Sequence, residues 1–219
     1  MIAGNSADSM SSALKLQSLP LFPLATVLFP GGVLPLRIFE VRYLDMIGKC
    51  YKAGAPFGVV SLTQGSEVRQ PGASEAFATV GTLATISEYE APQPGLLMIR
   101  ASGAQRFRIT SRDQLKHGLW IADVESVAPD IDVEIPPDLQ IASVALQNLI
   151  QSLELKSGGK EPLPLQAPYR LNDCGWVANR WCELLPLPVQ LKQRLMELDN
   201  PLVRLELVSD VLAKTGIAT

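Results

Sequence analysis

One histidine (His117) and three cysteines (Cys50, Cys174 and Cys182) are the side chains in this sequence best suited to nucleophilic or metal chemistry. A catalytic triad sets a histidine beside its nucleophile, and a structural zinc gathers His and Cys ligands at close spacings. Neither pattern is met. His117 stands alone in LKHGLW, beside a glycine where a turn between strands is expected. Cys174 and Cys182 are eight residues apart with no histidine near them, and Cys182 follows Trp181 in an apolar run. Glu88 and Glu90, two apart in SEYEA, fall on one face of a regular strand. Paired carboxylates can divide acid and base work, but a solvated strand end accounts for the same spacing. The sequence holds no G-x-x-x-x-G-K-[ST] loop to cradle phosphates, no G-x-G-x-x-G turn and no G-x-S-x-G elbow. These residues predict no catalytic site, no metal and no cofactor, and therefore no enzyme.

The elements around them carry more information. Between Lys15 and Arg37 the chain has no charged residue, a run long enough to cross a bilayer, for which a helix needs about 20 apolar residues. Pro20, Pro23, Pro30 and Pro35 interrupt that run, each lacking an N–H and clashing with the preceding helical turn. Gly31 and Gly32 weaken a helix further. Short extended segments with a turn at Pro30-Gly31-Gly32 are predicted, not an anchor. With 219 residues, 47% of them apolar and 19% charged, the chain can bury a substantial core. A net charge of −3 and the lack of any basic run leave out the electrostatic footprint of a nucleic-acid or anionic-membrane binder. Residues 1–15 read as a disordered lead-in without the basic and apolar regions of a secretory signal. The odd cysteine count then points to a reducing compartment, the cytoplasm.

Two periodicities divide the remainder. From residue 16 to 128 the period is two. RFRITS places Phe107 and Ile109 on one face and Arg106, Arg108 and Thr110 on the other, and WIADVESV alternates in the same way. LLMIRA and FGVVSL are apolar throughout, as in strands covered on both faces. Turn signals at Gln70-Pro71-Gly72, Pro92-Gln93-Pro94-Gly95 and Ser102-Gly103 suggest an antiparallel, barrel-like sheet. One helix interrupts it, with Phe39, Tyr43, Met46, Ile47 and Cys50 at helical spacing and Gly54 as the C-cap. Residues 129–138, proline-rich and acidic, read as a hinge. Residues 139–219 carry four apolar stripes, the third of them Leu191, Leu195 and Leu198, and the last opening with Asn200 as N-cap and Pro201 at the first helical position. The fold class expected is α+β, a β-rich lobe followed by a helical bundle.

The run LPLFPLATVLFPGGVLPLRIFEVRYLDMI, residues 19–47, resembles the start of the N-terminal, substrate-recognition domain of Lon proteases. FGVV at 57–60, VGTLATI at 80–86, GAQRFRI at 103–109 and the helical WVANRWCELLPLPVQLKQRLMELDNPLVRLELV extend the resemblance over about residues 17–213. It implies a PUA-like pseudo-barrel with a closing helical bundle. It also implies recognition of unfolded or tagged polypeptide, or an adaptor role toward a separate protease or chaperone. The ATPase and peptidase modules of a full Lon protease are expected to be absent, leaving a stand-alone binding module. Phe29, Arg37, Phe39, Glu40 and Tyr43 are the family-shared positions nearest a possible peptide groove, although Phe29 and Tyr43 are residues of a kind found more often in the core than on a contact surface. Arg37, Glu40 and Arg42 also read as an ion-pair cluster fixing the helix to the barrel. Because PUA-like barrels can bind RNA, an RNA- or nucleotide-binding module is the alternative. It would bind with a steep salt dependence.

Overall fold

Alternating side chains let one sheet bury a face on each side of its turns, and the computed structural model has such a sheet. It describes residues 14–67, 75–158 and 162–217. The sheet has seven strands: β1 (Lys15–Leu24), β2 (Val33–Ile38), β3 (Phe57–Gln64), β4 (Ala76–Phe77), β5 (Val80–Gln93), β6 (Leu96–Gln114) and β7 (Trp120–Ser126). Its path runs β1-β7-β6-β5-β3-β4, and a further β1–β3 pairing closes β1, β7, β6, β5 and β3 into a ring. That closing pair is parallel, Leu21 lying opposite Gly58, whereas the sequence suggested antiparallel neighbours throughout. β2 stands off the ring and pairs with the first half of β6, Val33 to Ile38 against Ser102 to Leu97.

Helix α1 (Val41–Ala53) packs Tyr43, Met46, Ile47 and Cys50 onto this sheet and ends at Gly54, whose φ of 60° is the left-handed cap expected. Phe39 lies just before the helix and outside its stripe. The hairpin joining β5 to β6 turns at Pro94-Gly95 as the sequence suggested. Ser102-Gly103 does not turn. It lies inside the 19-residue β6, where a Cβ on Gly103 would come within 2.2 Å of the Phe29 carbonyl oxygen. The glycine is there for close backbone approach, exchanging hydrogen bonds of 2.8 Å with Gly31 and Gly32. The expected turn at 70–72 and all but the last two residues of the lead-in lie outside the described residues.

A 3-10 turn at Pro137–Leu139 leads into α2 (Gln140–Ser157), α3 (Cys174–Leu184), α4 (Val189–Glu197) and α5 (Pro201–Thr215). The stripes fall where the 3.6 period put them: Leu146 and Ile150, Val177 and Trp181, and Leu205, Val208 and Leu212 are buried. In the third stripe Leu195 is buried, while Leu191 is partly exposed and Met196 takes its place inside. Asn200 caps α5 by accepting from the N–H groups of Leu202 and Val203. Val27, Phe29 and Val80, from the sheet half, belong to the same apolar cluster as these helices. Arg106, placed by alternation on a polar face, is therefore only 3% exposed. It reaches under the helices to the carbonyls of Met196 and Leu198. In the segment read as a hinge, Asp130 accepts from both Arg106 and Arg204, and Ile135 is buried. No helix among the described residues is long and apolar enough to cross a membrane.

Candidate functional site: the free edge of β2

Proline inside a strand removes one ladder hydrogen bond, so it is tolerated where no second neighbour needs its N–H. Pro35 sits in the middle of β2, which pairs with β6 on one side and, among the described residues, with no strand on the other. A groove of about 260 Å³ lies along that side. It touches every residue from Pro35 to Glu40, together with Phe22, Leu24, Tyr43 and Glu67. Since successive side chains of a strand point to opposite faces, a groove that meets four consecutive β2 residues, Pro35 to Ile38, follows the strand's edge and not one of its faces.

Four of the five residues singled out from the sequence meet here. Arg37 is exposed, and Phe39 is 56% exposed at the groove's rim. Tyr43 is buried below them, its ring stacked on Phe22 at 4.0 Å between centroids. Burial, together with Glu75, Glu40 and Glu67, raises its phenol pKa against the pull of Arg42. Glu40 stands at the N-cap position of α1, but its carboxylate accepts no capping bond. Instead it pairs with Arg42 at 3.2 Å, and Arg42 also pairs with Glu75 at 3.1 Å and donates to the Gly118 carbonyl. Burial opposes the Arg42 charge, yet Tyr43, Glu75 and Glu40 outweigh it and raise the guanidinium's pKa. The ion-pair cluster that holds the start of α1 on the sheet thus consists of Arg42, Glu40 and Glu75. Arg37 is outside it.

Phe29 is not in the groove. It is fully buried beneath the helices, where no peptide reaches it. The sequence also left out six groove residues, Phe22, Leu24, Pro35, Leu36, Ile38 and Glu67. Pro35 itself was the signal that could have pointed to the others, since it marks the unpaired edge they surround.

Behind β2 the sheet opens a second, shallower hollow of about 340 Å³, with Pro35, Arg37, Met98, Arg100, Glu88 and Glu90 among its lining. LLMIRA, expected to be covered on both faces, is covered on one: Leu97, Ile99 and Ala101 are buried, and Met98 is 47% exposed. Glu88 and Glu90 are both exposed, and Glu88 lies 4.0 Å from Arg100 Nε, a cross-strand ion pair. The remaining candidates for chemistry are scattered. His117 is exposed in the turn between β6 and β7. All three thiols are free and buried, and burial pushes Cys174 up to about 11 and Cys182 up to about 12. A cleft of about 370 Å³ between sheet and helices is walled by Arg106, Asp130, Arg170 and Asp173, among others, whose charges pair among themselves and with Arg204 and Asp132. An edge with apolar walls and a few charges can hold an extended chain. The described residues around it offer no nucleophile and no activated base.

Comparison with known proteins places this arrangement in a family. The family model for the substrate-binding domain of ATP-dependent protease La (LON) matches residues 18–214. A crystal structure of a Lon N-terminal domain protein from Xanthomonas campestris is similar, with a TM-score of 0.68 and 30% identity, over 89% of this chain and 98% of that one. The N-terminal domain of a Mycobacterium avium complex Lon protease shares the fold at a TM-score of 0.56 and 18% identity, over 89% of this chain and 97% of that one. Among curated sequences, Lon proteases of Paraburkholderia phytofirmans and Anaeromyxobacter dehalogenans are 29% and 26% identical over 94% and 89% of this chain. The chain spans about a quarter of their length, 25% and 23% respectively. Matched from residue 18 to residue 214, the chain belongs to the Lon substrate-binding domain family.

Proposed function

We propose that the chain is a non-enzymatic polypeptide-binding module that takes up extended apolar segments of unfolded or tagged proteins along the free edge of β2. The observation that carries this reading is the groove along Pro35 to Glu40, where the side of β2 turned away from β6 has no strand partner among the described residues and lies beside Phe22, Leu36 and the exposed Phe39. Main-chain pairing supplies affinity in such strand addition, and pockets for alternate side chains supply selectivity. Ordering a flexible peptide offsets much of the apolar gain, so affinity on the order of micromolar is expected. Neither contribution is strongly screened by salt. The client would then be handed to a protease or chaperone.

The test is a titration of the full chain with a reduced, alkylated and permanently unfolded polypeptide at low and high salt. Binding that persists in salt, and that weakens on Leu36→Asp in a variant that still melts cooperatively, supports the proposal. Binding that disappears at moderate salt, or that ignores Leu36→Asp, overturns it. Turnover of ATP or of a fluorogenic peptide, abolished by a point substitution in this chain, would overturn the non-enzymatic part.

A further inference from the structure

The segments favoured at the β2 edge are, we infer, strands that set a carboxylate opposite Arg37 and apolar side chains on either side of it. This inference rests on the edge-strand reading above and names the class of client.

Register across the open face aligns two rows. Glu88 lies opposite Arg100, which lies opposite Pro35; Glu90 lies opposite Met98, which lies opposite Arg37. The first row is balanced. Arg100 faces Glu88 and donates to the Leu163 carbonyl at 2.6 Å. The second row is not. Arg37 has a thioether as its cross-strand neighbour, and Glu90 is two strand spacings away, roughly 10 Å. Among the described residues Arg37 makes no ion pair or hydrogen bond through its side chain.

A strand laid on the free edge would place one of its residues directly opposite Arg37, at the distance where opposite charges stabilise a sheet and like charges weaken it. Residues before and after that one point to the other face, toward the groove walls of Phe22, Leu36 and Tyr43. Charge works against an acid at those positions, because Glu40 and Glu67 border the same groove. The edge therefore distinguishes both the sign of a charge and its register. An acid opposite Arg37 is favoured, the same acid one residue along is disfavoured, and a lysine opposite Arg37 is disfavoured.

The test uses fluorescence anisotropy of the full chain with a set of labelled peptides of alternating valine and polar residues. One outward position carries Glu, Gln or Lys, and a fourth peptide has the Glu moved by one residue. Glu should bind about two- to five-fold more tightly than Gln, and Lys more weakly than Gln, with both differences shrinking in high salt. Moving the Glu by one residue should abolish its advantage. Arg37→Glu should invert the order and Arg37→Gln should flatten it; Arg37 is exposed, and unchanged melting curves for both variants check that the fold is intact. Equal affinities for Glu, Gln and Lys, or a preference that survives Arg37→Glu, overturn this inference and leave the edge-strand reading standing. Failure of all four peptides, where an unfolded polypeptide also fails, overturns both.

Discussion

Glu183 illustrates how far a single side chain's behaviour depends on neighbours distant in sequence. On α3, Arg180 donates to the carbonyls of Pro30 and Gly31 and pairs with Glu183 at 2.8 Å. Burial pushes the Glu183 carboxyl up to about 7, against the opposing pull of Arg180 and Lys192. A native pKa above the unfolded one means that the folded protein holds a proton which the unfolded chain has released. Stability from this group is then greatest below the unfolded value and falls as pH rises through the native one. The stability of the protein relative to Glu183→Gln should decrease between about pH 5 and pH 8. Urea melts of both proteins across that range check it, and a difference that grows with pH would contradict the sign. Cys174 and Cys182, with thiol pKa values raised first of all by burial, should resist a thiol-titrating reagent at neutral pH until the chain unfolds. Fast labelling of either in the folded protein would contradict that. At this scale the sequence was legible where a residue answers to its own helix, as with Cys50 on the α1 stripe. It was not legible for Phe39, and for Phe29 it left core and groove both open. Both are aromatic and flank the same strand, and only the packing of the distant helices decides that one is fully buried and the other 56% exposed.

Elements with a strong period and chemical end signals were read well from sequence. The start of α5 is an example: Asn200 supplies the cap, Pro201 opens the first turn, and Leu205, Val208 and Leu212 are fully buried. Pro201→Ala should be mild by comparison, because proline at the first helical position pre-sets the turn and, although it is buried, truncation removes only two ring carbons. Leu205→Ala should cost about 2–5 kcal/mol and Trp181→Ala about 3–5 kcal/mol, through lost burial and the cavity left behind. Trp181 also donates its indole N–H to the Ala142 carbonyl, a buried hydrogen bond that truncation removes. Urea melts of the three variants rank them, and equal losses would mean that these stripes do not face the core. Strand ends were harder to read. Ser102-Gly103 has the composition of a turn, but β6 runs straight through it because the Phe29 carbonyl must approach within contact of that glycine. Single-sequence turn chemistry cannot separate a glycine that bends the chain from one that admits another backbone. Pro35 was the more informative signal, since its missing N–H marks an edge whichever way the strand continues.

At the scale of the whole molecule, the division into a β-rich half and a helical half was visible as a change of period, but the strength of their connection was not. Val27, Phe29 and Val80 lie in the helical core, Gln193 donates to the Val80 carbonyl at 2.9 Å, and Arg180 holds the turn at Pro30 and Gly31. Asp130 joins the two sides most directly. Its carboxylate accepts from Arg106 on β6 and from Arg204 on α5, two guanidinium groups 3% and 1% exposed. Burial lowers the Arg106 pKa, with Asp130 opposing that shift and Arg204 adding to it, so the carboxylate keeps two like charges side by side. Removing one partner of a buried charge pair leaves an uncompensated charge and costs about 3–5 kcal/mol. Asp130→Ala should therefore lower the stability of both halves by a similar amount, and not loosen one against the other. Native-state hydrogen exchange under rising denaturant measures this. Amides of β5 and β6 and amides of α3 and α5 should converge on one opening free energy, which Asp130→Ala lowers for both sets together. Helices that open at a distinctly lower free energy than the sheet, before or after the substitution, would show two independent units joined by a hinge, and the shared core would then carry less of the stability than its burial implies.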